Sequence, residues 1–191
     1  MKTDIILAGV GGQGILSLAA VIGEAALEDG LYMKQAEVHG MSQRGGDVQS
    51  HLRISDRPVA SDLIPLGSAD LIIALEPMEA LRYLPYLKKD GWIVTHSEPF
   101  ENIPDYPDLN AVMQVYEALP HKVVLNVEQI AKDLGAPRSG NIVLLGAASP
   151  YLPIEFAKLE NGVRRIFGRK GETVVAMNLK ALQAGNALEI V

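Results

Sequence analysis

The chain contains no cysteine among its 191 residues. No disulfide can therefore form, no thiol can act as a nucleophile, and this chain alone cannot hold a cysteine-ligated zinc ion or iron–sulfur cluster. Structural disulfides belong to oxidising compartments, so a cysteine-free chain fits a cytoplasmic location. We accordingly expect a cytoplasmic protein.

Long hydrophobic runs and basic blocks are also missing. The apolar run that precedes the first glycines, in "MKTDIILAGVGGQG", is too short for a signal peptide or a membrane helix. Lys and Arg number 17 against 23 Asp and Glu, which gives a net charge of −6. Such a chain is a poor match for nucleic acid and for an acidic protein partner. We therefore predict neither a membrane nor nucleic acid as a partner.

The composition is that of a domain with a substantial apolar core, since 48% of the residues are hydrophobic and 21% are charged. Strand-like apolar runs alternate with helical stretches, and from Val127 onward the pattern is helical. We predict a single domain over residues 1–191 with an α/β fold. It would have a three-layer, Rossmann-like, mostly parallel sheet and a helical C-terminal third at about 127–191. So many helices cannot all cover one small sheet, so we expect some to cross over the first half or to pack on another subunit.

Two segments carry more specific predictions. The stretch "DVQSHLRIS" alternates between apolar and polar residues, which predicts a half-exposed strand that is antiparallel or at an edge. The stretch "EPMEALRYLPYLKKDG" predicts a helix that opens at Pro77 and closes at Gly91.

The segment "GVGGQG" follows the first strand and leads into a helix, with Gly9, Gly11 and Gly14 in GxGxxG spacing. Glycines allow a sharp turn and a close ligand approach, and a helix N-terminus offers free N–H groups to an anion. Residues 11–14 (Gly11, Gly12, Gln13 and Gly14) are therefore candidates for binding a cofactor or a neighbouring subunit. Glycines needed only for packing are the alternative.

Two familiar nucleotide sites fit this loop poorly. A dinucleotide site needs an acid near the end of the second strand, and Glu37 qualifies, but the chain has no room for a substrate domain and no convincing catalytic acid or base. A P-loop needs Lys and Ser or Thr where Ile15 and Leu16 stand. A stand-alone Rossmann-like protein that binds a dinucleotide or small ligand remains the alternative function.

The segment "EVHGMSQRGGDV" is too polar for a core and too particular for a plain turn. Arg44, beside Gly45, can present its planar guanidinium to a carboxylate or phosphate of a cofactor or partner; an internal salt bridge is the alternative. His39 could titrate near neutrality, and Ser42 and Gln43 suit polar ligand contacts, although hydrogen bonds within the loop would explain all three. No metal-ligand spacing and no catalytic set can be argued.

A basic cluster lies near the C-terminus. It could attract the phosphates of coenzyme A, but a solvated helix end that complements the helix dipole is the favoured interpretation. Its members are Arg164, Arg165, Arg169 and Lys170.

Together, "GVGGQGILSLAAVIGEAAL", "EVHGMSQRGGDVQSHLRIS" and "SGNIVLLGAAS" resemble the gamma subunit or domain of the 2-oxoacid:ferredoxin oxidoreductases, and within that family the small beta subunit of the indolepyruvate type. The resemblance runs over essentially the whole chain. It implies a part in oxidative decarboxylation, in which a 2-oxoacid and coenzyme A give acyl-CoA, carbon dioxide and reduced ferredoxin.

The resemblance also implies a division of labour. Thiamine diphosphate, magnesium and the iron–sulfur clusters are expected in a large alpha subunit, which would be the direct partner, with ferredoxin reached only through it. Coenzyme A would be the co-substrate. We expect the present chain to bind no cofactor by itself, to supply no catalytic residue or metal ligand, and to be inactive alone.

Overall fold

The computed structural model describes residues 1–40, 45–101 and 103–188, without the side chain of His39. Apolar runs place a six-stranded sheet at its centre. The strands are Lys2–Val10 (β1), Tyr32–His39 (β2), Asp47–Ser55 (β3), Ala69–Ala74 (β4), Leu87–His96 (β5) and Lys122–Leu125 (β6). Their order across the sheet is β2-β3-β1-β4-β5-β6. Strands β1, β4, β5 and β6 are parallel, and β3 is antiparallel to both of its neighbours. The predicted α/β fold with a largely parallel sheet is confirmed.

Helices cover both faces of this sheet. They are Ile15–Glu28 (α1), Pro77–Arg82 (α2), Leu109–Glu117 (α3), Val127–Asp133 (α4), Gly140–Ala148 (α5), Phe156–Phe167 (α6) and Glu172–Asn186 (α7). One face packs on α1, α4 and α5, and the other packs on α2 and α3. We call the end of the sheet at which β1, β4, β5 and β6 finish its carboxyl end.

The last two helices, α6 and α7, form an outer layer over α1 and α5. Helix α6 packs on α1, so it crosses over the first half of the chain as expected, and α7 packs on α5. The α5–α7 crossing is very close, because Gly146 and Gly185 meet there. An added Cβ at Gly146 would lie 2.1 Å from the Leu182 carbonyl oxygen, and one at Gly185 would lie 2.0 Å from that of Val143.

The predicted helix from Pro77 to Gly91 is wrong in its second half. Helix α2 ends at Arg82, a short turn follows at Leu84–Tyr86, and Leu87 already begins β5. Pro85 lies in that turn, and proline cannot continue an α-helix because it lacks an N–H group and clashes with the preceding turn.

Strand β3 is antiparallel to its neighbours, which is one of the two predicted alternatives. The prediction that one of its faces is exposed is wrong. It lies between β1 and β2, with His51 and Arg53 only 6% and 7% exposed. Arg53 forms an ion pair with the buried carboxylate of Asp4 and donates to the carbonyls of Ser61 and Leu63. The connection between β3 and β4 therefore covers the polar face of this strand.

Acidification is expected to destabilise the fold through His51. Its Nδ1 accepts a hydrogen bond from the Ile64 N–H at 2.9 Å, which requires a neutral ring. Burial, and then the Arg53 guanidinium, lowers the pKa of His51 below its ordinary value of 6.5. The unfolded chain therefore binds the proton more readily. The resulting stability is present above pH 6.5 and is lost as the pH falls towards and through the lower folded pKa.

Urea unfolding between about pH 7.5 and 5.5 measures this dependence. The matched control is His51→Asn, whose side-chain oxygen can still accept from Ile64 but does not titrate. Its free energy of unfolding should fall less steeply over the same interval. Equal slopes for the two proteins would show that His51 is not responsible.

Candidate functional site

The glycine loop lies where the sheet connections diverge. After β1 the chain enters α1 on one face of the sheet, and after the neighbouring β4 it enters α2 on the other face. Such a divergence opens a crevice at the carboxyl ends of the two strands, which is the usual ligand position in open α/β sheets.

Within the loop, two glycines adopt conformations that other residues rarely reach. Gly12 has φ 104° and Gly14 has φ 91°. Gly14 is the N-cap of α1, and its carbonyl accepts a hydrogen bond from Asn141 Nδ2 at 3.2 Å. A Cβ at Gly14 would lie 2.6 Å from that nitrogen. The start of α5 is therefore fitted against the start of α1.

Gln13 fastens the loop to the sheet. Its Oε1 accepts from the Val10 N–H at 2.7 Å, and its Nε2 donates to the Leu75 carbonyl at 2.9 Å. Both ends of the amide thus have partners within the protein. The contact of Gln13 with a cofactor or a neighbouring subunit stays a prediction.

The glycine loop and the polar segment that follows β2 lie side by side. The Gly11 N–H donates to the Gly46 carbonyl at 2.8 Å, and the Gly45 N–H donates to the Gly11 carbonyl at 3.5 Å. The two sequence motifs therefore belong to one site region at the carboxyl end. The candidates Ser42, Gln43 and Arg44, and the side chain of His39, lie outside the described residues, so their roles stay predictions.

A charged cluster connects Asp47, the first residue of β3, to α2 and the residue that follows it. The Tyr83 hydroxyl donates to the Asp47 carboxylate at 3.1 Å, and Glu79 pairs with Arg82 at 2.9 Å. Burial raises the pKa of Tyr83, with a further contribution from Asp47, so the hydroxyl stays a donor. Burial likewise raises the pKa of Glu79, and Arg82 opposes this shift.

A cleft of about 510 Å³ opens beside the glycine loop. Its other walls are the connection between α4 and α5 and the junction of α6 with α7. Its polar groups come from Ser17, Arg138, Ser139, Asn141, Lys170 and Asn178. Among the described residues that line it, two are cationic and none is acidic. The N-termini of α1 and α5 border the same space, so the cleft has the electrostatics of an anion site.

A smaller recess of about 130 Å³ adjoins the cleft and shares Gln13, Arg138 and Asn141 with it. It reaches His96 and Glu128 at the carboxyl end of β5 and the start of α4. Cleft and recess together fall in the size range of small-molecule sites.

The sequence pointed to only part of this cleft. Lys170 of the basic cluster is exposed and also lines the cleft, with its ammonium group 5.2 Å from the Phe167 ring centroid. Arg165 instead forms ion pairs with Glu24 and Glu28. Arg138 was missed, although its position just before a helix that carries Asn141 was a usable signal.

Other chemistry finds little support in the part of the chain that the structure describes. No group of three His, Cys, Asp or Glu side chains there could hold a metal ion. No helix within 1–40, 45–101 or 103–188 is long and apolar enough to cross a membrane.

Comparison with known proteins gives a consistent picture over the full chain. Residues 4–188 match the family described as pyruvate ferredoxin/flavodoxin oxidoreductase. Indolepyruvate oxidoreductase subunit IorB of Archaeoglobus fulgidus is 36% identical over 97% of this chain and 94% of its own length. The subunit of the same name from Pyrococcus horikoshii is 36% identical over 95% and 93%.

Solved structures share the fold. The gamma subunit of the keto/oxoacid ferredoxin oxidoreductase from Geobacter sulfurreducens aligns with a TM-score of 0.69 and 30% identity, covering 97% of this chain and 94% of that one. The 2-oxoglutarate:ferredoxin oxidoreductase from Magnetococcus marinus aligns with a TM-score of 0.75 and 26% identity. That alignment covers 97% of this chain but 30% of the other, and that enzyme was solved with 2-oxoglutarate, coenzyme A and succinyl-CoA bound.

Proposed function

The chain belongs to the pyruvate ferredoxin/flavodoxin oxidoreductase family, and from this premise we propose that it is the small accessory subunit of an indolepyruvate- or arylpyruvate-type 2-oxoacid:ferredoxin oxidoreductase. The family resemblance expected from the two glycine motifs is confirmed. The observation that carries the indolepyruvate assignment is the near full-length match, at 36% identity, to archaeal subunits of that type. The complete enzyme would convert the 2-oxoacid and coenzyme A to acyl-CoA and carbon dioxide, and would pass the electrons to ferredoxin.

The redox cofactors do not fit this chain. An iron–sulfur cluster is normally held by cysteine thiolates, and the chain has no cysteine. The family resemblance implies that thiamine diphosphate and its magnesium ion are held by the same large subunit as the clusters. We therefore place both groups in a large alpha subunit and derive no step through them here.

Coenzyme A, in contrast, fits the cleft. Its phosphate groups match a space lined by Arg138 and Lys170 and bordered by two helix N-termini. The cleft opens at the carboxyl end beside the glycine loop, whose Gly11 is hydrogen-bonded to Gly45 and Gly46. We propose that the cleft holds the phosphate-bearing portion of coenzyme A and leaves the thiol directed to the partner's site.

The rival function, a stand-alone dinucleotide-binding protein, is not favoured. A dinucleotide site places its ribose-binding acid on the strand next to β1. Here β3 occupies that position, and Glu37 lies on β2, one strand spacing of about 4.8 Å further away. Glu37 also accepts a hydrogen bond from Gln35.

Reconstitution tests the proposal. The purified chain should show no indolepyruvate oxidation with coenzyme A, ferredoxin and added thiamine diphosphate, whereas co-purification with a cysteine-containing large subunit should give coenzyme A-dependent ferredoxin reduction. Turnover by the small chain alone would contradict an accessory role. Calorimetry with coenzyme A, NAD, FAD and ATP separates the rival function, since micromolar binding of NAD or FAD would revive it.

A further inference from the structure

The connection between β5 and α3 stands out at the carboxyl end. We call its described residues, 97–101 and 103–108, the acidic arm. It exposes two large apolar side chains, Phe100 at 45% and Ile103 at 43%. Exposure alone is not decisive, since Leu63 and Leu66 are more exposed, but these two side chains lie on one acidic loop at the carboxyl end of the sheet.

The acidic arm is held in a defined position. The Tyr106 hydroxyl and the Phe100 N–H both donate to the carboxylate of Glu76, which is 1% exposed. The Ser97 N–H donates to the Leu125 carbonyl at 3.0 Å, and Asp108 caps α3 by accepting from the Ala111 N–H. Anchors at its start, middle and end reduce the conformational entropy that the arm would lose on binding.

Other exposed apolar side chains lie at the same end of the sheet. Leu16 in the first turn of α1 is 45% exposed, Val38 near the end of β2 is 53% exposed, and Met177 at the cleft is 41% exposed. Ser97, at the start of the arm, follows His96, which lines the recess that adjoins the cleft. A partner that covered the acidic arm could therefore also close the cleft.

The charge of the acidic arm indicates the kind of partner that it can bind. The arm carries four acids and no Lys or Arg. In a symmetric dimer of this chain the same surface would face itself, so these acids would oppose one another. A different protein with an apolar pocket surrounded by basic residues is complementary to the arm.

From these observations we propose that the acidic arm docks the large partner subunit, through Phe100 and Ile103 and against a basic rim, so that the partner completes the cleft. This inference rests on the proposed function, because it takes the partner to be the large subunit of the same oxidoreductase.

The test compares two double variants in binding to the co-purified large subunit. Phe100→Ser with Ile103→Ser should raise the dissociation constant about tenfold or more, as for central apolar contacts of an interface. The control is Leu63→Ser with Leu66→Ser, which removes side chains that are 59% and 67% exposed at the opposite end of the sheet. It should change the constant less than about twofold. Thermal unfolding of the free chains confirms that both variants fold.

A third variant, Glu101→Lys with Asp105→Lys, should weaken binding and reduce its salt dependence. The inference is overturned if the apolar arm variant binds the large subunit with wild-type affinity, or if the control variant loses as much affinity as the arm variant. Neither result affects the proposed function. If the wild-type chain binds no large subunit at all, the proposed function fails first. The inference is also overturned if the free chain forms a homodimer that the apolar arm variant disrupts, because the arm would then bind a second copy of this chain.

Discussion

Replacing Gly185 or Gly146 with alanine is expected to lower the free energy of unfolding by about 3 kcal/mol or more, the upper range for overpacked sites. Each added methyl group would lie near 2 Å from a backbone carbonyl oxygen of the facing helix. No side-chain rotation can relieve a clash with backbone, so α5 and α7 must move apart. Alanine favours a helix over glycine by about 1 kcal/mol, which is too little to offset this cost.

Gly168→Ala is the matched control, because an added Cβ there meets nothing within 4 Å and its φ is −54°. Chemical denaturation of the three variants gives the comparison. Stability of Gly185→Ala at or above that of wild type would mean that the helices are not in such close contact. The same displacement should also deform the cleft, since Met177 and Asn178 of α7 line it.

The second large effect concerns the cleft cations. Replacing Arg138 and Lys170 together with alanine is expected to raise the KM for coenzyme A of the reconstituted enzyme about 10- to 100-fold. Both side chains are exposed, so we take about 0.7–1.4 kcal/mol for each, below the roughly 1.5–3 kcal/mol of a hydrogen bond to a charged group; about 1.4 kcal/mol corresponds to a factor of ten. The turnover number at saturating coenzyme A should stay near that of wild type, because neither side chain is placed at the reacting carbon.

Arg169→Ala controls for the loss of positive charge, since Arg169 precedes Lys170 but does not line the cleft. Its KM should change less than about twofold, because a charge outside the cleft makes no direct contact with a ligand held there. An unchanged KM in the double variant, with the complex intact, would place coenzyme A elsewhere.

Local features of the fold could be predicted because their causes are local. Glycines after an apolar strand, and Gly30 after α1, mark turns through their own backbone freedom. The position of β3 could not be predicted, because alternation in "DVQSHLRIS" gives the period of a strand but not its neighbours. Its polar face is buried only because residues 56–68 return over it, with Arg53 holding two of their carbonyls.

The candidate site likewise has parts that could be predicted from sequence and parts that could not. The glycine loop and the following polar segment could be recognised from sequence, and their contact through Gly11 joins residues far apart in the chain. Lys170 reaches the cleft only because α6 and α7 fold back across α1 and α5. That arrangement depends on helix packing at Gly162 and Gly185, which no local pattern reveals.

The place of β3 between β1 and β2 also affects the order in which the sheet can form and open. Strand β2 has hydrogen-bonded pairing with β3 alone. Strands β2 and β3 are consecutive and can pair first as a hairpin, whereas the pairing of β3 with β1 must close the longer loop from Val10 to Asp47 and is slower for that reason. In the native protein, β2 is an edge strand that can separate without disturbing the parallel strands, so its amides should open at a lower free energy than those of the central strands. Gly40, the described residue that follows β2, therefore lies next to an edge of the sheet that can open on its own.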